Sequence, residues 1–188
     1  MAFAAALGGL AGCTANTDAG PSPTTTVAGE PQASSSASAS ARTPVEKPQR
    51  PAAMDREDAK GAAAAAEYFI ELYPYIMATG DTAEFEAMSH EACGFCDDAL
   101  ASARANKVAG YTYLGGALSV EVLDIYQQDS LTSLIPIDVR VEQAASSTLD
   151  RTGAEIASAR HEVNESRVEV AEGGSGWVVV EIAPRPES

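Results

Sequence analysis

The residues best suited to chemistry cluster in one stretch, MSHEACGFCDDAL at 88–100. Cys93 and Cys96 stand three apart, His90 lies just upstream, and Asp97 and Asp98 follow directly. Three chemistries use such a pattern. In an oxidising compartment an even pair of cysteines reads first as a disulfide. Residues i and i+3 of a helical turn lie about 5–6 Å apart, within reach of that bond. A thiol oxidoreductase would instead use Cys93, at a helix start, as the attacking thiolate and Cys96 as the resolving thiol. That motif follows a β-strand in a βαβ unit, however, and two adjacent aspartates disfavour a thiolate. A zinc site needs about four ligands, and beyond the pair only His90 and the distant His161 are on offer. A structural Cys93–Cys96 staple is therefore the leading reading, with no metal assigned. Closing so small a loop contributes about 2 kcal/mol, enough to pin a corner but not to hold a fold.

The compartment decides between these readings, and the third cysteine bears on it. MAFAAALGGLAGC at 1–13 opens with an apolar run. At about 12 residues the run is shorter than the about 20 that cross a bilayer, and it suits the core of a signal peptide. Leu10-Ala11-Gly12-Cys13 resembles a bacterial lipobox. The resemblance implies cleavage before Cys13, a diacylglycerol-modified Cys13, and a protein anchored in the cell membrane on its extracytoplasmic side. No Lys or Arg precedes the run, which departs from the positively charged start of such signals.

Residues 14–54 are rich in Ser, Thr, Ala, Pro and Gly and lack aromatics. Such a chain buries too little surface to offset its ordering entropy, so a disordered tether is expected, with an r.m.s. reach of roughly 35 Å. The expected organisation is a signal-peptide remnant at 1–12, lipidated cysteine and tether at 13–54, a globular domain at 55–184 and a tail at 185–188. The formal net charge is −15, from 27 acidic and 12 basic residues. Three of each sign fall within 14–54, so the excess belongs to the domain. Such a surface repels phosphate backbones and anionic lipid headgroups, which excludes nucleic acid as a partner class.

These residues must be held by a domain whose pattern changes midway. Asp55 to Ala78 predicts a long helix with acids in its first turns, five consecutive alanines, and an apolar face at Ala62, Ala66, Phe69, Ile70, Tyr73 and Met77. Pro74 is expected to kink it, and Thr79-Gly80 to end it. A short helix follows from Asp81, then the cysteine pair, then a helix from Asp97 to Gly110 capped by the aspartates. Beyond Gly110 the period becomes two. Strands are expected at 116–128 and 131–143, an ambiguous piece at 154–163, and a closing hairpin of SRVEVAE and GWVVVEIA. Three helices and then antiparallel strands make an α+β domain, with the helices packed on a curved antiparallel sheet. The order, with Trp177 near the start of the last strand, resembles the cone-shaped fold of nuclear transport factor two and SnoaL-like proteins, which implies no activity.

GAAAAAEYFIELYPYIMATGDTAEFEAMSHEACGFC at 61–96 carries a closer resemblance. It is similar to actinobacterial lipoproteins grouped as domain of unknown function 6318. The matching positions are Gly61 and Ala62, Tyr68-Phe69, Thr79-Gly80-Asp81, Ser89, Cys93 and Cys96. The resemblance implies an envelope lipoprotein and transfers no catalytic residue.

Other groups are weaker candidates. His90 could act as an acid or base in a pocket, but a surface or capping role is the plainer reading. Tyr68, Tyr73, Tyr75, Tyr111, Tyr113 and Tyr126 could line a cone, and with Asp124 they could imitate the tyrosine and carboxylate of isomerases of this fold; plain core packing also explains them. Asn164-Glu165-Ser166 matches a glycosylation triplet. The sequence has no Gly-rich phosphate loop, Ser-His-Asp signature or acidic metal loop, and no cofactor is expected. The reading is a membrane-anchored, non-enzymatic binding or scaffolding module with an unknown protein or small-molecule ligand. A pocket enzyme or carrier, or a redox protein using Cys93 and Cys96, are the alternatives.

Overall fold

The computed structural model describes residues 45–174 and 176–187. Cys13 and the first part of the expected tether lie outside the described residues. A 3-10 helix, Ala52–Asp55, precedes helices α1 (Ala59–Thr79), α2 (Ala83–Ala87) and α3 (Gly94–Ala109). The strands are β1 (Thr112–Gly115), β2 (Leu118–Ile125), β3 (Ile135–Gln143), β4 (Ser146–Leu149), β5 (Glu155–Ala159), β6 (Glu162–Gly173) and β7 (Gly176–Pro184). The domain is the α+β arrangement expected, three helices on antiparallel sheet.

Local chemistry explains where the helices differ from expectation. α1 begins at Ala59, because Asp58 caps it by accepting from the Lys60 and Gly61 amides at 3.0 and 3.1 Å. The Arg56 guanidinium, followed by the Gly61 amide, lowers the Asp58 carboxyl to about 2. The helix runs through Pro74 and ends at left-handed Gly80. α3 starts three residues before Asp97, capped by Cys93 rather than by the aspartates.

The expected tether and tail also carry structure. Met54 is buried in the core, Lys47 pairs with Glu84, and the Trp177 indole donates to the Arg56 carbonyl at 3.1 Å. A Cβ on Gly61 would lie 2.0 Å from that same carbonyl oxygen. Segment 51–58 therefore lies over Gly61 and is latched to β7, so the packed chain starts upstream of residue 55. At the other end, Arg185 bonds Asp138 and Glu165.

Pairing is antiparallel throughout, in the orders β2-β3-β6-β7 and β1-β4-β5. β1 and β4, absent from the sequence reading, continue β2 and β3. The register from Thr112↔Leu149 to Gly115↔Ser146 resumes unchanged at Leu118↔Gln143. The register of β4 with β5 likewise resumes between β3 and β6. Three long strands thus bend along one line, and 154–163 resolves as strand on both sides of it. The bend needs glycine. Gly115 and Gly116 have φ of +73° and +71°, and a Cβ on Gly115 would meet the Ala145 carbonyl oxygen at 2.3 Å.

Alternate strand residues divide two faces. The inward face of Ile135, Ile137, Val139, Val168, Val170 and Val179 is buried under α1. The outward face carries charge. Asp138 is fully buried and accepts from Arg167 (2.7 and 3.1 Å), Arg185 (2.9 Å) and the Tyr126 hydroxyl (2.9 Å). Arg185 also reaches Glu165, which pairs with Arg140, which in turn pairs with Glu121. Arg167, with Tyr126 and Arg185 assisting, holds the Asp138 carboxyl below its ordinary range against the opposing effect of burial.

Two outcomes follow. Gly61→Ala, which would favour an exposed helix by roughly 0.5–1 kcal/mol, is expected to destabilise this domain by about 1–3 kcal/mol through collision with Arg56, read from urea midpoints. Asp138→Ala is expected to cost about 3 kcal/mol at pH 7 by stranding two arginines. Because the folded-state pKa is lowered, the wild-type advantage is full above the ordinary aspartate value near 4 and is lost as pH falls through the folded value. The difference in urea midpoint between the two proteins should shrink in acid accordingly.

Candidate functional site

Most of the space between α1 and the sheet is filled. Tyr68, Phe69, Leu72, Ile76 and Phe85 are at most 1% exposed, and the Phe69 and Phe85 rings stack at 4.1 Å. Beside the middle of α1 a cleft of about 190 Å³ remains. Its apolar wall is Ile70 and Tyr73 from α1, Phe95 from α3, and Leu118, Val141 and Ile182 from the sheet. Gln143, Asn164 and Ser166 add neutral hydrogen-bonding groups. All three follow the inward parity of β3 and β6, in pairs Val141↔Asn164 and Val139↔Ser166. Tyr73 and Phe95 meet at 5.9 Å with rings tilted by 33°. Burial raises the Tyr73 phenol, so it is neutral at physiological pH.

The cysteine pair lies beside this cleft. Cys93 and Cys96 are both fully buried, with Cα atoms at disulfide distance, 5.2 Å apart. The Cys93 sulfur accepts from the Cys96 amide at 3.2 Å, which caps α3. The preceding turn is tied to β7, with the His90 amide donating to the Val179 carbonyl and the Val179 amide to that of Met88. Thiol exchange requires access to sulfur, and burial of both sulfurs weighs against that chemistry.

Other sequence candidates are scattered. The exposed His90 ring accepts from the Ala92 amide at 3.1 Å, a local turn contact. His161 pairs with Glu142 on the outward face. Asp124 bonds Arg185, and Tyr126 bonds Asp138, so the imagined tyrosine–carboxylate pairing inside the cone does not form. Tyr75 bonds Asp81, and Tyr111 is exposed. Tyr113 is buried, its hydroxyl without a hydrogen-bond partner among the described residues. Of the six tyrosines, Tyr73 lines the cleft. Among the described residues, no three His, Cys, Asp or Glu side chains converge as metal ligands would.

The neutral rim and the Asp138 hub stand out only in the folded chain. Each has a faint signal: Gln143, Asn164 and Ser166 are neutral polar residues that share inward parity with Ile135, Ile137, Val139, Val141, Val168 and Val170. Asp138 interrupts LIPIDVRV with a charge.

The model of the family of unknown function DUF6318 matches residues 32–183. The chain belongs to this family. Within the matched span, Gly61 admits the Arg56 carbonyl, Gly80 ends α1 and Ser89 bridges to Val179 of β7. In fold, this DUF6318 member is similar to the intermembrane-space region of the chloroplast protein ARC6, at a TM-score of 0.53 and 14% identity over 70% of this chain and 99% of that one. It is also similar to a ketosteroid isomerase-like protein from Erwinia carotovora atroseptica, at a TM-score of 0.45 and 12% identity over 68% and 94%. No curated protein matches the chain. No helix among the described residues is long and apolar enough to cross a membrane.

With Cys13 replaced by Ser, denatured but unreduced protein is expected to show no thiol reactive with Ellman's reagent. Cys93→Ser with Cys96→Ala, which keeps a capping oxygen at 93, should cost about 2 kcal/mol in a urea titration.

Proposed function

We propose that this DUF6318 protein is a lipid-anchored extracytoplasmic binding module that holds a small uncharged ligand in the cleft between α1, α3 and the sheet. The cleft lining carries the reading. Six apolar or aromatic side chains face three neutral polar ones, the composition of sites that bind small molecules by burial and orient them by a few hydrogen bonds. Binding fits better than catalysis. The one titratable group in the lining is Tyr73, and its raised pKa moves it further from the near-neutral value that general acid–base chemistry uses. The acidic domain surface, part of a net charge of −15, favours a neutral ligand over an anion.

The anchor rests on the lipobox-like Leu10–Cys13 stretch, and on the Ser/Thr/Pro-rich residues after it. A cysteine pair at disulfide distance suits the oxidising exterior of a bacterial envelope. In a bacterial host, wild-type protein should fractionate with membranes and carry acyl mass on Cys13, and Cys13→Ala should move to the soluble fraction. Retention of Cys13→Ala in the membrane would refute the anchor. For the cleft, N-phenyl-1-naphthylamine fluorescence should rise with wild-type protein, and Ser166→Trp, which fills the space, should abolish the rise.

A further inference from the structure

Phe95 is the unusual residue of the cleft. It sits between two fully buried cysteines yet is itself 41% exposed. A phenylalanine left this exposed forgoes part of the about 1.5–3 kcal/mol that full burial contributes, and this one is held in that position from both sides. Cys93 behind it is packed against the core, in a turn joined to β7 through His90 and Met88. Cys96 ahead of it is buried on the first turn of α3. The ring that results covers one side of the cleft and meets Tyr73 at 5.9 Å.

We infer that the Cys93–Cys96 staple is a positioning device for the cleft: it fixes Phe95 against Tyr73 as an aromatic wall, and the ligand is an uncharged, ring-sized hydrophobic group laid between that wall and Leu118, Val141 and Ile182. The inference rests on the cleft being the binding site. Three features select the ligand class. The two rings meet at an angle, leaving their outer faces and edges free for offset or edge-to-face contact with a flat partner. A volume of about 190 Å³ suits a ring system rather than a peptide or a long acyl chain. The rim of Gln143, Asn164 and Ser166 can satisfy a hydroxyl or carbonyl on such a ring, while an ionised group would find no counter-charge in the lining. The staple thus has a role beyond its small share of global stability. It removes the freedom of the first turn of α3, which carries Phe95, so less ordering is left for the ligand to impose.

The test is a thermodynamic cycle on the full chain carrying Cys13→Ser, with N-phenyl-1-naphthylamine as the neutral aromatic probe. Four proteins are compared: this parent, Phe95→Ala, Cys93→Ser with Cys96→Ala, and the combination. Serine at 93 keeps a cap for α3, so the covalent link is what is lost. Near-UV circular dichroism and urea midpoints establish that each remains folded. Phe95→Ala is expected to weaken the probe about tenfold, and opening the staple by about fivefold. The combination should bind within twofold of Phe95→Ala alone, because both changes remove one wall. If Phe95→Ala weakens binding but the opened staple binds like the parent, or if the two losses multiply, the staple does not act through Phe95 and the cleft reading survives. If the parent does not bind the probe, or binds it unaffected by both Phe95→Ala and Ser166→Trp, the cleft reading itself falls. Should the opened-staple protein fail to fold, Phe95→Leu replaces it: an aliphatic side chain retaining full affinity overturns the aromatic wall.

Discussion

The change in side-chain size along α1 governs the domain. A helix can lie close to a sheet only where its facing side chains are small, and residues 61–66 of α1 are one glycine and five alanines, all buried. The following turns carry Tyr68, Phe69, Ile70, Leu72 and Tyr73, which demand more room. The cleft lies beside these larger side chains, at Ile70 and Tyr73. The small-residue turns are covered by segment 51–58, whose Arg56 carbonyl accepts from the Trp177 indole beside Gly61. Bulk at that crossing would disturb the helix, the segment and the last strand together.

The same sheet does two jobs by parity. Its inward side supplies the core and the neutral rim of the cleft. Its outward side gathers its strands electrostatically around Asp138. A fully buried carboxylate is tolerable because three side chains donate four hydrogen bonds to it, and because the two arginines among them are only partly buried. Desolvation is then limited on the cationic side of the pair. The network spans β2, β3, β6 and the residue after β7, so it orders the four strands without drawing on the inward space that the cleft needs.

Much of this was legible from residue order. Alanine content, the Gly80 stop and the switch from helical to alternating period gave three helices followed by antiparallel strands, and spacing brought Cys93 and Cys96 to disulfide distance. Other features depend on contacts between residues distant in sequence. Residues 51–54 look like tether and 55–58 like the first turn of α1, and only Trp177, more than a hundred positions later, gives the segment its partner. TYLG and SSTL are too short and too weakly patterned to read as strands alone, and they exist because they extend longer neighbours. The tyrosines could not be sorted, because strand parity places Tyr126 outward while helical phase places Tyr73 beside the cleft.

The fold line across the three long strands carries a lesson about growth. Because pairing keeps step on both sides of Gly115-Gly116, the leaf formed by β1, β4 and β5 is an outgrowth of the main sheet and shares its frame. Additions at the β4–β5 turn, made as equal numbers of residues on both arms, would lengthen that leaf while every inward residue of the cone stayed inward. Length can accumulate there, with the cleft and its lining untouched.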